Sequence, residues 1–171
     1  RVQTFGHRLE DHLHAVSPFP DQQLAQALLA DDWGVAADVW SATSFVGLRR
    51  DALAVERWNR LHPGEAARTP YVNECLDGTD GPVVAATDWM KAVPDMVAPW
   101  LGRRLHTLGT DGFGRSDSRA KLRDFFEVDR RWVAVAALQA LADRGAIERT
   151  VVANAITEFG IDPEKRNPLD C

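Results

Sequence analysis

Cysteine is nearly absent: the chain has two, Cys75 and Cys171, among 171 residues. Two isolated thiols make neither a disulfide framework nor a thiolate metal cage, so a reduced, cytoplasmic setting is the expectation. Long apolar runs are missing as well; none approaches the roughly 18 residues that a bilayer-spanning helix needs. An excess of positive charge is also lacking. The formal net charge is −5, whereas a broad nucleic-acid surface needs a basic face. Arg49-Arg50 and Arg103-Arg104 are isolated basic pairs and read as solvated surface. The opening Arg1-Val2-Gln3-Thr4-Phe5 is not a signal peptide and carries no initiator Met, so the expectation is a fragment or a trimmed chain. What remains is a composition of 45% hydrophobic and 26% charged residues. That is the balance of a soluble globular protein, with length enough for one domain and a real core.

Strand-like and helix-like runs alternate. Val2 to Phe5 reads as a strand. Asp21 is placed to cap a helix whose apolar positions Leu24, Ala27, Leu28 and Trp33 follow helical spacing, with Gly34 as its stop. Ala37 to Ala42 reads as a second strand, and Ser44 as the cap of a helix through Leu48, Ala52, Val55 and Trp58. Leu61 to Gly64 is a loop and Tyr71 to Leu76 a short helix. Pro82 to Thr87 is an unbroken apolar strand, as expected where both sheet faces are covered. Asp88 should cap the next helix, which Pro94 interrupts and Pro99 stops. Leu105 to Leu108 supplies a fourth strand before a glycine-rich loop, Gly109 to Ser118. Asp129 then caps a long helix with Val133, Ala136, Ala137, Ala140 and Leu141 on one side, ending at Gly145. Val151, Ala155, Ile156 and Phe159 mark the last helix. Strands and helices joined by short connections predict an open, mostly parallel sheet covered on both faces. No repeat or linker divides it, so residues 1–171 read as one α/β/α domain.

The glycine-rich loop follows a strand and precedes a helix, where a phosphate cradle would sit. It does not match GxGxxG and no Gly-Lys-Ser/Thr follows, which excludes a P-loop, and Asp111 and Asp117 would repel phosphate. A tight structural or interface turn is the reading, with glycines permitting positive φ and close approach of another backbone. The five histidines are scattered. His12 and His14, two apart, would point to different faces of a helix. No HExxH or clustered Cys/His spacing suggests a metal. His62, before Pro63, reads as a hydrogen-bonded structural residue. Ser41, Ser44 and Ser116 lack a G-x-S-x-G elbow. Six tryptophans read as core and interface anchors rather than a base-stacking platform. No catalytic, cofactor-binding or metal-binding residue is assigned.

Leu108-Gly-Thr-Asp-Gly-Phe-Gly-Arg-Ser-Asp-Ser-Arg119, with Leu122, Phe125-Phe126-Glu127-Val128-Asp129 and the alanine-rich helix beyond, closely resembles the C-terminal domain of homodimeric pyruvate dehydrogenases. Phe113-Gly114-Arg115-Ser116 with Leu122 and Phe126 is similar to the wider transketolase family. Asp38 to Ser44, Glu56 to Pro63, Pro70-Tyr71-Val72, Ala86 to Lys91 and Gly160 to Pro168 add further matches, so the resemblance runs from about Asp31 to the end. The front departs from it. Phe5-Gly6-His7-Arg8 stands where the family has a glycine-serine-glycine turn, and His7 to Gln23 is longer than expected, leaving a divergent segment at 6–23.

The resemblance implies a three-layer α/β/α domain with a mixed, mostly parallel sheet of four to five strands. Its antiparallel edge strand would lie upstream of Arg1. It also implies a dimeric enzyme of three such domains, with thiamine diphosphate and magnesium held between the other two. That enzyme decarboxylates pyruvate and passes the two-carbon unit to a lipoyl group of an acetyltransferase core. None of the family's catalytic residues map here, so the chain alone is expected to be inactive and to bind neither cofactor. Asp111, Phe113, Arg115, Ser116, Asp117 and Arg119 form the candidate interface loop, facing the remaining domains or a second subunit. Two other readings stand beside this one: a separate subunit of a split two-carbon transferase serving a carrier protein, and a non-enzymatic interaction domain.

Overall fold

The computed structural model describes residues 13–16 and 20–170. Four short strands form one sheet: β1 (Leu13–Val16), β2 (Ala37–Trp40), β3 (Val83–Ala86) and β4 (Leu105–Leu108). Their order across the sheet is β2-β1-β3-β4. Each neighbouring pair is parallel, with Ala15 opposite both Val39 and Val84, and Val84 opposite His106. The chain steps from β1 to β2 on one side and then crosses back to place β3 on the other. The direction of winding therefore reverses between β1 and β3.

Alternation along β3 shows how the two faces are covered. Val84 packs against α1 (Pro20–Trp33), α6 (Arg130–Asp143) and α7 (Arg149–Glu158), in a cluster holding Leu29, Leu138, Leu141 and Val152. Val83 faces the opposite layer, among Val72 and Leu76 of α3 (Tyr71–Leu76), Val97 and Leu101, with Phe45 and Leu48 of α2 (Phe45–Leu61) against them. All four residues of β3 are buried, which is why its sequence is apolar without a polar alternate. The α/β/α layering expected from the sequence is therefore present, with a parallel sheet at its centre.

Local signals place most element ends. Ser44 Oγ accepts from the Gly47 N–H at 3.0 Å and starts α2. Asp129 Oδ1 accepts from the N–H groups of Arg131 and Trp132 and starts α6. Gly34 and Gly145 follow α1 and α6 at φ +65° and +75°, the left-handed positions where a Cβ is penalised.

Other expectations are corrected. Asp88 caps no helix: α4 (Ala92–Asp95) begins four residues later, after Lys91, and the Asp88 carboxylate receives Arg123 instead. Pro94 lies inside this four-residue helix, and Pro99 within a 3-10 turn at Ala98–Trp100. Two prolines remove donors that a continuous helix would need. Asp21 lies within the first turn of α1 rather than ahead of it. The second strand ends at Trp40, short of Ala42. The strand expected at Val2 to Phe5 lies outside the described residues. Within the divergent segment, Leu13–Val16 holds a central place in the sheet, so His14 belongs to a strand and not a helix. The antiparallel edge strand that the resemblance implies is not among the described residues.

Candidate interface site

β4 ends at Leu108, and the chain turns sharply against the segment that leaves β3. The Thr110 N–H donates to the Trp89 carbonyl at 2.9 Å. Its hydroxyl donates to the Asp88 carbonyl at 2.8 Å. The Lys91 N–H donates to Asp111 Oδ1 at 3.0 Å. This approach leaves no room for a side chain at Gly109, where a Cβ would stand 2.7 Å from the Trp89 oxygen and 2.8 Å from the Lys91 nitrogen. Gly112 is under two constraints at once. Its φ is +103°, and a Cβ there would lie 2.5 Å from the Pro168 carbonyl oxygen. Gly109 and Gly112 thus serve close backbone approach, as the sequence suggests, on two sides: the exit of β3 and the C-terminal 3-10 turn Pro168–Asp170, whereas Gly114 has open space around it.

From Gly112 to Lys121 every residue is exposed. Phe113 points no hydrophobic surface into the core. The Arg115 guanidinium sits over the Phe125 ring at 4.2 Å, a cation–π contact that holds the loop to α5 (Arg119–Phe125). Asp117 accepts from the Ser118 N–H at 2.7 Å and lies 3.8 Å from Lys121 Nζ, one helical turn on. Ser116 lies beside these, and Arg119 opens α5. Five of the six candidate residues therefore lie on one exposed rim, with charges of both signs and one unsupported aromatic, while Asp111 is half-buried at its inner end.

Below the rim is a residue that sequence reading passed over. Arg123 is 6% exposed, yet it carries a full charge into the layer between α1 and the sheet. Its Nε lies 2.6 Å from Asp21 Oδ2, Nη1 donates to Asp88, and Nη2 donates to the Val128 carbonyl at 2.8 Å. One planar fork so joins the start of α1, the exit of β3 and the turn after α5. Lys165 does similar work nearby, donating to the Phe125 carbonyl at 2.7 Å and pairing with Glu127 at 3.0 Å. Glu127 is the non-glycine residue at positive φ among those described. Nothing local marked Arg123, since an arginine inside a short polar helix ordinarily faces water.

The rest of the surface offers little chemistry. His62 Nδ1 lies 2.8 Å from the Trp58 carbonyl, and its ring stacks on Trp58 at 4.5 Å, which is the structural role expected of it. His106 is pushed below its usual range by burial, with the Arg104 guanidinium acting in the same direction and Asp143 opposing. An apolar cavity of about 220 Å³ lies between the sheet and α2 and α3, lined by Phe45, Leu48, Val72, Cys75, Val83 and Leu101 among others. Cys75 and Tyr71 are its titratable lining residues, and the side-chain hydrogen bond and charge interaction with Cys75 push the Tyr71 phenol above its ordinary range. Among the described residues no group of three His, Cys, Asp or Glu side chains is placed to hold a metal ion. No helix among the described residues is long and apolar enough to cross a membrane. Of the six tryptophans, Trp33 packs edge-on to Phe159, Trp100 Nε1 donates to Glu56 and Trp132 Nε1 donates to Asp124, whereas Trp89 stands exposed.

The fold defines the class: a doubly wound α/β/α domain with an exposed glycine loop at the end of β4. Residues 22–129 match the sequence model of the transketolase-like TK C-terminal domain, and the chain belongs to that family. The individual relatives are of one kind. The chain is 64% identical over 148 residues to the pyruvate dehydrogenase E1 component of Pseudomonas aeruginosa, covering 86% of this chain and 17% of that protein. It is 52% identical over 145 residues to the E1 component of Cupriavidus necator, covering 85% and 16%. It is 51% identical over 145 residues to that of Escherichia coli K12, covering 84% and 16%. The chain thus spans about a sixth of the length of the curated relatives it matches.

Proposed function

We propose that this chain is the C-terminal domain of a thiamine-diphosphate-dependent pyruvate dehydrogenase component, and that it acts there in assembly rather than in chemistry. The observation that carries the reading is the 64% identity over 148 residues to an E1 component, together with a family match that contains the whole glycine loop. In the complete enzyme, pyruvate is decarboxylated and the two-carbon unit passes to a lipoyl group of the acetyltransferase core. Thiamine diphosphate supplies the carbanion stabilisation, and magnesium anchors its diphosphate.

The residues of this chain do not fit that cofactor. Asp111 and Asp117 put negative charge on the glycine loop, which disfavours a diphosphate there, and the described residues offer no metal-holding trio. Cofactor and substrate contacts belong to the other two domains and to a second subunit. The part taken here is the loop Asp111, Phe113, Arg115, Ser116, Asp117 and Arg119, a docking rim toward those domains. The sheet gains its fifth, antiparallel edge strand from residues upstream, which covers an otherwise open edge.

The test is made in the complete enzyme. Thiamine-dependent release of carbon dioxide from pyruvate is expected, and its absence overturns the functional reading. Arg115→Ala is expected to weaken dimerisation or domain docking, read as a shift in native mass and a fall in activity. Unchanged mass and unchanged activity would count against the loop as an interface.

A further inference from the structure

Four large apolar side chains outside the core lie on three segments that the fold ties together. Trp89 is 71% exposed, Met90 57%, Phe113 79% and Leu169 52%. Trp89 and Met90 leave β3, Phe113 is in the glycine loop, and Leu169 is in the C-terminal 3-10 turn. The Trp89 carbonyl accepts from the Thr110 N–H at 2.9 Å. Gly109 is packed so closely on Trp89 and Lys91 that no Cβ fits, and a Cβ on Gly112 would meet the Pro168 oxygen at 2.5 Å and the Leu169 Cα at 3.5 Å. These contacts bring the three segments together, so the four residues are carried at one edge of the molecule.

We infer that Trp89, Met90, Phe113 and Leu169 form a single apolar platform on which the thiamine-binding remainder of the same enzyme docks. The inference rests on the functional reading above and extends the interface beyond the loop to two segments that sequence analysis did not assign. Large apolar groups left in water forgo the gain of burial, and a cluster of them marks an interaction surface. The backbone beneath is already fixed by hydrogen bonds and close glycine contacts, so docking orders little that is not ordered beforehand. Around the patch stand Lys91, Asp111, Arg115 and Asp117, an apolar centre with a polar rim.

The rim also selects the occupant. A carrier that visits and leaves is steered by a field of one sign, and this rim mixes both signs. A partner on the same polypeptide needs no steering, because its effective concentration is set by the covalent link. The relatives are long enough to supply one, since this chain matches only 17% and 16% of their length.

Hydroxyl-radical footprinting of the complete enzyme reads the four side chains directly, with Tyr71, 57% exposed on α3, as an internal reference for open surface. Trp89, Met90 and Phe113 are expected to label about tenfold more slowly than in an unstructured peptide of the same sequence, because a docked aromatic excludes water, while Tyr71 labels freely. That protection should persist on dilution far enough to separate subunits. Phe113→Asp, at a position too exposed to affect folding, should restore labelling at Trp89 and Met90. Free labelling of the patch in the wild-type enzyme would overturn the inference. So would protection that fades on dilution, which assigns the patch to a second copy, or protection that appears only when a lipoyl acetyltransferase is added. Pyruvate decarboxylation measured on the same preparation separates failure of this inference from failure of the functional reading.

Discussion

Arg123 carries more of this domain's geometry than any other charged residue described. Burying a guanidinium is costly unless carboxylates and carbonyls surround it, and here two aspartates and a backbone carbonyl do so. The pairing explains why Asp21 and Asp88, which both look like helix caps in sequence, serve a different end. Truncating one member of a buried pair leaves the others charged and unanswered. Arg123→Ala is therefore expected to destabilise the chain by about 1–3 kcal/mol, measured by chemical denaturation, less than for a fully buried pair because the Asp88 side chain is 38% exposed. Arg123→Lys should retain part of the loss, because an ammonium keeps the charge but cannot reproduce the fork. A change below about 1 kcal/mol for Arg123→Ala, the range of surface pairs, would mean that the network contributes little. Residues whose partners are three or four positions away were legible: Ser44 and Asp129 as caps, Gly34 and Gly145 as stops. Arg123 was not, since its partner Asp88 is 35 residues distant and nothing in the intervening sequence records the meeting.

At the scale of elements, α6 shows how far periodicity reaches. Of the expected face, Val133, Ala137, Ala140 and Leu141 are buried and Ala136 only half-buried, while Ala134, Leu138 and Ala142 are buried too. The helix is covered by α1 on one side, α7 on another and the sheet beneath, so its apolar surface is wider than one stripe. Small alanines let those neighbours approach. Its start depends on Asp129, whose carboxylate accepts two backbone N–H groups and also pairs with Arg131 at 2.7 Å. Asp129→Ala is expected to lower stability by about 0.5–2 kcal/mol, visible as a lower denaturation midpoint with an unchanged slope. Asp129→Asn or Asp129→Ser should recover most of it, since either side chain can cap; failure of both to recover would place the effect in the Arg131 pair instead. The segment after β3 misled sequence reading for the converse reason. Asp88 followed by a mixed apolar run satisfies the rules of a helix start, yet tertiary demand for the carboxylate and for the Trp89 carbonyl holds residues 88–91 in a turn.

The whole molecule is a layered domain whose one elaborated edge lies where β3 and β4 end. Among the described residues, backbone contacts and an exposed apolar and charged rim converge there. Titration calorimetry of this chain with thiamine diphosphate and magnesium is accordingly expected to give no binding heat, and micromolar affinity would overturn the assignment of cofactor contacts to other domains. Composition, strand and helix alternation, caps and stops were properties of neighbouring residues, and they alone carried the α/β/α class, most element boundaries and the identity of the glycine loop. The resemblance of whole motifs carried the family. Long-range contact decided the remainder: that Leu13–Val16 stands between β2 and β3, that Arg123 binds two distant aspartates, and that the segments bearing Trp89, Met90 and Leu169 meet the glycine loop. Helix propensity and turn chemistry act over a few residues, so they are written in order along the chain. Burial of a charge and gathering of an apolar surface depend on which segments the closed sheet brings together, and that is set only when the chain has folded.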